Sequence, residues 1–310
     1  MSEVASEATA ENAGPAPASA DTVRSRLVAE LRERLLQQGE GLPLRNHAAL
    51  GRVVTLCRDP SGSARGVALE AARDEAFAAL LLRAANSAYS ASVSRIGTLT
   101  QAIARLGFEL VQGLAIMSMG TPAFSLHTLA SDERADVLRE IHRHSVRTGL
   151  VARTLAPSGL DPELALTAGL LHNLGLSVCV LFAPKAFHQI QGAADRGEQL
   201  SAVEEDVLGF THAALGGMLA ERWSYPAGLV LAIQEHDAAE PSTPLAALIQ
   251  VSDLAVRAVG VGIEPPLPVS PSVAQKADVD LAVIADRLAP LLEAQERLEQ
   301  RMASELKHAA

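Results

Sequence analysis

The stretch AFAALLLRAANSAYSASVSRIGTLTQAIARLGFELVQGLAIMSM, residues 76–119, decides the fold. It opens as a run of Ala and Leu, which lose little side-chain entropy in a helix. The run reaches Asn86 and Ser87, whose short polar side chains can bond the backbone groups left over at a helix end. Thr98-x-x-Gln101 then forms a capping-box pattern ahead of Ile103 and Leu106. Gly107 suits the left-handed residue that closes such a helix. A third helix is expected to run to about Met119 and to end at Thr121-Pro122.

The same pattern extends in both directions. Towards the N-terminus, Leu27, Leu31 and Leu35 mark one face of a helix that begins at Asp21. Leu42-Pro43 breaks the chain before a second periodic stretch at Leu50, Val53, Val54 and Cys57. Residues 1–20 lack bulky apolar anchors and are expected to be disordered. Towards the C-terminus, Ser131 reads as an N-cap, with Asp132 and Glu133 in the first turn of a helix through His142, His144 and Val151 to about Leu155. Asp161-Pro162-Glu163 starts another, with Pro at its first position. Ser201-x-x-Glu204 reads as a second capping box.

Further helices are expected over Thr211 to Trp223, Pro226 to His236 and Leu245 to Val259. Gly260 to Ser272 reads as a Pro-rich loop. A final helix carries Leu281, Ile284, Leu288, Leu291, Leu298 and Met302, with a restart at Pro290. The reading is all-α: a tail (1–20), an N-terminal helical subdomain (21–125), a second bundle (131–259), and a loop and C-terminal helix (260–310).

Composition agrees. Apolar residues make up 48% of the 310 residues and aromatics 3%, with few period-two runs of the β-branched types that strands need. The net charge of −10 repels phosphate backbones and anionic lipid, so general nucleic-acid binding is not expected. The acidic N-terminus has no basic segment followed by an apolar run, unlike a secretory signal. Leu166 to Ala183 is interrupted by His172 and Asn173, which favours a buried helix pair over membrane insertion. Cys57 and Cys179 sit in apolar stretches and read as reduced thiols. A cytoplasmic protein is expected.

Four of the nine histidines, His144, His172, His212 and His236, lie in apolar surroundings on separate expected helices, and Asp253 joins them within IQVSDLAV. A bundle can aim all five at one point. Convergent imidazoles with a carboxylate are what a divalent ion such as Fe, Mn or Zn requires. The alternative is a set of separate core histidines, each bonded to a neighbouring helix. No GxxxxGK[ST] phosphate loop is present, and Gly260 and Gly262 lack the strand–helix setting of a dinucleotide site. Ser145 beside His144 is no triad, because adjacent helical residues point apart. Arg143, Arg147 and Arg153 read as a solvated face, and Asn86, Ser87 and Tyr89 as capping and packing.

Several segments, in order, resemble the HD-related output domain (HDOD) family. LLRAANSAY (81–89) and IGTLTQAIARLGFELVQGLAI (96–116) are similar to its first half. RHSVRTGLVA (143–152), AGLLHNLG (168–175), LGFTHAALGGMLAERWSYP (208–226), LAIQEHD (231–237) and VSDLAV (251–256) are similar to its second, HD-type half. The resemblance implies a metal-ligand lineage. His144 matches the first histidine, His172 that of the namesake His-Asp pair, His212 and His236 the added histidines of the cyclic-di-GMP phosphodiesterase branch, and Asp253 the closing aspartate.

Two departures stand out. Asn173 replaces the Asp of the pair, and Asp237 stands where that branch has a second adjacent histidine. A neutral amide cannot supply the charge that holds metal ions and acidifies water. Asp237 returns one carboxylate, enough for a single weakly held ion, though no cofactor is required by this reading. The expected function is therefore a non-catalytic regulatory module working through protein partners. The rivals are a metal-dependent phosphohydrolase acting on a nucleotide or cyclic dinucleotide, and a pocket that binds a nucleotide without cleaving it. Receiver, GGDEF, EAL and DNA-binding segments are not evident, which points to separate signalling partners. The final helix reads as a strip packed on the domain, because Pro290 interrupts a continuous coiled coil; a homodimer seam is the alternative.

Overall fold

The computed structural model describes residues 20–39, 47–87, 94–120, 133–263, 267–282, 284 and 290, and caps, prolines and glycines cut these described residues into fifteen helices. The described residues contain no strand. The first half comprises α1 (Ala20–Gly39), α2 (His47–Arg58), α3 (Ala64–Ala71), α4 (Glu75–Ser87), α5 (Leu99–Leu106) and α6 (Phe108–Gly120). Thr98 caps α5 as its sequence predicts, its hydroxyl accepting the Gln101 N–H at 3.2 Å. Gly107 closes α5 at φ 77° but ψ 154°, so it turns the chain into α6 in an extended form rather than the expected left-handed helical one. Asn86 accepts the Ile96 N–H and donates to the Leu82 and Ile96 carbonyls, tying α4 to the segment before α5. Asn86 thus ties together the end of its own helix as expected, but these bonds stay within the first half and do not reach the second subdomain. Helix α3, capped by Ser63, was not anticipated.

The second half comprises α7 (Glu133–Leu155), α8 (Pro162–Leu171), α9 (Leu174–Phe182), α10 (Pro184–Ala194), α11 (Leu200–Leu208), α12 (His212–Arg222), α13 (Ala227–Gln234), α14 (Pro244–Ala258) and α15 (Pro271–Lys276). Helices α7 and α8 cross at Gly149 and Gly169, where a Cβ on Gly169 would lie 2.5 Å from the Gly149 Cα. Their backbones touch, and no side chain fits between. Helix α14 is buried from Leu245 to Arg257 with few breaks and packs on α7, α8, α13 and α15. That central position carries Asp253 into the middle of the bundle.

The halves share a core. The Tyr225 hydroxyl donates to the Ala79 carbonyl at 3.0 Å, and the Ser177 hydroxyl donates to Glu75 at 3.3 Å. Helix α1 falls within the 21–125 segment by sequence, yet it packs on α9 and α12, where Arg222 pairs with Glu33 at 2.5 Å. The stretch Pro162–Phe182 has the length and mean hydropathy (1.8) of a membrane span, but 89% of its window is buried inside the fold. It is a pair of core helices turned at His172-Asn173. Cys57 is half-buried and Cys179 buried, both as free thiols.

Two expectations are corrected. Helix α15 begins at Pro271, inside the segment read as loop, because Pro suits a first helical turn. Ser201 is no cap: α11 starts two residues earlier than that cap would allow, at Leu200 after Gln199, and Glu204 turns inward. The N-terminal tail (1–19), Leu42-Pro43, Tyr89, Thr121-Pro122, Ser131 and most of the C-terminal helix with its apolar strip lie outside the described residues.

Candidate metal centre

The five positions converge, though not from the middles of five helices. His144 and Asp253 project from within α7 and α14. His172 caps the C-terminus of α8, His212 is the first residue of α12, and His236 follows α13. Helix ends carry backbone groups without intrahelical partners, and two of the histidines use them. The Nδ1 atoms of His172 and His236 each face the carbonyl three residues back, Gly169 at 2.6 Å and Ile233 at 2.8 Å. His144 Nδ1 faces the Val261 carbonyl at 2.9 Å, and His212 Nδ1 lies 2.8 Å from Glu204.

These partners are acceptors, so each Nδ1 carries the hydrogen; the Nε2 atoms of His172, His212 and His236 present lone pairs to the centre, while His144 Nε2 lies within hydrogen-bond distance of Asp253 Oδ1, at 2.6 Å. This is the arrangement by which ligating histidines are held. The Nε2 atoms and two carboxylates form adjoining triads: His144, His172 and Asp253 in one, His212, His236 and Asp237 in the other. The His172 and His236 rings, 4.8 Å apart between centroids, join them. The donor set fits a divalent ion. Buried His172 Nε2 and Asp237 Oδ2 lack hydrogen-bond partners, a costly state that a cation would relieve.

Charge is managed by a residue that sequence reasoning passed over. Arg257 donates from Nε to Asp253 Oδ1 at 2.9 Å, places its terminal nitrogen 2.5 Å from Asp253 Oδ2, and reaches Asp237 at 3.3 Å. Burial would push the Asp253 carboxyl up, but the Arg257 charge and the His144 hydrogen bond hold it well below the ordinary range. Burial opposes ionisation of Asp237 too, and the Arg257 charge nonetheless helps to lower it. Burial pushes His172 down, and His236 down to about 3.

Two readings change. Glu204, expected to cap its own helix, instead accepts both the backbone N–H and the Nδ1–H of His212. Arg147, expected on a solvated face, is 3% exposed, because α7 is covered by α8 and α14. Asn173 is buried with its side-chain oxygen lacking a partner, and it lines a small pocket with His144 and Arg257. The i,i+4 spacing of Asp253 and Arg257 was the available signal for that pair. Nothing local marks Glu204, eight residues before the histidine it holds.

An all-helical scaffold with a histidine–aspartate centre in its second half defines an HD-related helical domain. The HDOD domain family matches residues 43–239, and the chain belongs to that family. Among solved structures, the MmoQ response regulator from Methylococcus capsulatus superposes with a TM-score of 0.61 at 19% identity, over 80% of this chain and 98% of that one. That likeness is one of fold. An uncharacterized protein of Treponema pallidum is 28% identical over 193 residues, 60% of this chain and 36% of that protein. Ribonuclease Y of Petrotoga mobilis is 31% identical over 117 residues, 37% of this chain and 18% of that enzyme. The chain thus spans about a third or less of the length of these curated relatives.

Proposed function

We propose that the protein is a regulatory signalling module that works through contacts with partner proteins, in the cytoplasm, and does not turn over a phosphate ester. The observation that carries this reading is the closure of the centre. His172, His212, His236 and Asp253 are each 0% exposed. The pocket beside them, lined by Ile141, His144, Asn173, Arg257, Gly262 and Ile263, admits roughly one water molecule. Metal-assisted hydrolysis needs an open coordination position and room for the ester opposite the attacking water. A nucleotide ligand meets the same obstacle. Asn173 adds a second argument, since a neutral amide stands where a charged bridge would acidify that water. Membership of the HDOD family and a fold shared with a response regulator support a signalling role.

A phosphohydrolase is the second reading, favoured by the four imidazoles that converge on two carboxylates. The test is turnover. The full chain is incubated with Mn²⁺, Fe²⁺ or Zn²⁺ and cyclic dinucleotides or nucleoside phosphates, beside His172→Ala. Equal, background-level product from both proteins is expected. Turnover that disappears in His172→Ala would overturn the proposal.

A further inference from the structure

The two triads differ in what their oxygens are doing. Asp253 has both oxygens on the guanidinium of Arg257, and His144 Nε2 crowds Oδ1 at 2.6 Å. Asp237 divides its oxygens: Oδ1 faces Arg257 at 3.3 Å, while Oδ2 faces His212 Nε2 at 3.5 Å and His236 Nε2 at 3.6 Å. The two nitrogens are 3.2 Å apart. A tetrahedral ion with bonds of about 2.0–2.1 Å separates its ligands by about 3.3–3.4 Å. All three edges of the second triad lie near that value. In the first, a separation of 2.6 Å is too short for two ligands of one ion, and His172 Nε2 stands 3.7 Å from the same oxygen.

We propose that the protein holds a single divalent cation on His212, His236 and Asp237, and that Arg257 takes the place of a second ion at Asp253. Each member of the ion site is fixed from behind. His212 is held by Glu204, His236 by the Ile233 carbonyl, and Asp237 by Arg257. Arg257 is anchored four residues from Asp253 on the same buried helix. Its planar fork matches a carboxylate edge, and its charge is permanent, so it neutralises Asp253 without dissociating as an ion would. It acts as a positioning residue for the ion, aligning Asp237 so that one oxygen is left for the metal. Two imidazoles and one carboxylate select borderline ions such as Zn²⁺, Co²⁺ or Fe²⁺ over Mg²⁺ or Ca²⁺.

The inference deepens the regulatory reading, since a centre with one ion and a fixed guanidinium lacks the paired ions of a two-metal hydrolase. The two are tested by different readouts. The full chain is stripped with a chelator and titrated with Zn²⁺, and with Co²⁺ as an absorbing probe, followed by calorimetry and elemental analysis. One equivalent is expected. Asp237→Asn and His236→Ala should weaken binding at least ~tenfold, as loss of a direct ligand must exceed loss of its support. His144→Ala should leave affinity within about threefold, since His144 belongs to the other triad. Arg257→Gln should admit a second, weaker equivalent, and Arg257→Lys should stay at one because it keeps the charge.

Two equivalents in the unaltered chain, or none, would overturn the proposal, as would His144→Ala losing as much as His236→Ala. If a variant fails to fold, the unaltered chain still decides. The Co²⁺ band of a four-coordinate nitrogen and oxygen site supports the proposal, and a six-coordinate spectrum overturns it. Turnover with one bound ion would overturn the regulatory reading alone.

Discussion

His212 and His236 face each other with their Nε2 atoms 3.2 Å apart, and each ring turns its Nδ1 to an acceptor that holds the hydrogen there. Two lone pairs at that separation repel unless a cation lies between them. The fold therefore stores an unfavourable arrangement, and it can do so because Glu204 and the last turn of α13 fix the two rings independently.

The first prediction concerns Glu204. Its carboxyl accepts two hydrogen bonds from His212, the backbone N–H at 2.8 Å and Nδ1–H at 2.8 Å. Glu204→Ala leaves two buried donors without partners and should cost on the order of 3–5 kcal/mol. Glu204→Gln keeps one acceptor and should cost less. Urea denaturation of the three proteins measures this; an alanine variant within 1 kcal/mol of the original would refute the role assigned to Glu204.

Asn173→Asp should restore negative charge beside His172. The variant is expected to purify with more bound divalent metal, its affinity raised on the order of tenfold. The metal-free form should be less stable by about 1–3 kcal/mol, because a further carboxylate is buried near Asp253. Elemental analysis and melting with and without chelator check both halves. Metal content unchanged from the original chain would count against a charge deficit at this position.

Gly175 lies where α9 meets the start of α12, and a Cβ there would sit 2.0 Å from the His212 carbonyl oxygen and 2.7 Å from Gly216 N. Both atoms are backbone, so neither can swing aside. Gly175→Ala should destabilise the fold by roughly 3 kcal/mol or more and displace His212. Gly51 in α2 is the control, since its added Cβ meets nothing within 4 Å. Gly51→Ala should be neutral or gain up to about 1 kcal/mol through helix propensity. Equal effects of the two substitutions on melting temperature would refute the close approach.

Stability should fall on both sides of a middle pH range. Burial, and secondarily the Asp74 charge, push Glu75 up to about 8, against its Ser177 hydrogen bond. The folded chain thus keeps a proton that the unfolded chain has lost, and stability declines as pH rises from about 4.5 through about 8. Burial instead holds His236 neutral down to about 3, so the unfolded state binds more protons below about 6.5 and stability falls with acid. Glu75→Gln should flatten the alkaline decline and raise the melting temperature above pH 7, by the equivalent of a few kcal/mol. An unchanged slope between pH 6 and 9 would show that Glu75 is not the group responsible.

Local rules are legible in the chain because a cap or a helix start is decided within three or four residues. Thr98, Thr211 and Asp161-Pro162 each begin the helix that their sequence announces. The histidines and Asp253 could be named through their resemblance to a known family, because those segments occur in its order. Roles set across the bundle were not legible. Glu204 offers the same carboxyl whether it caps α11 or holds His212, and Arg147 reads the same on a solvated or a covered face. What separates those outcomes is how each helix is rotated against neighbours from elsewhere in the chain. The Val261 carbonyl reaches His144 across 117 residues, and Tyr225 reaches Ala79 across 146. Sequence determined that this protein is helical and which side chains could bear a centre. Packing alone decided that Arg257 would stand among its ligands, since burying two carboxylates requires a positive charge within reach of both.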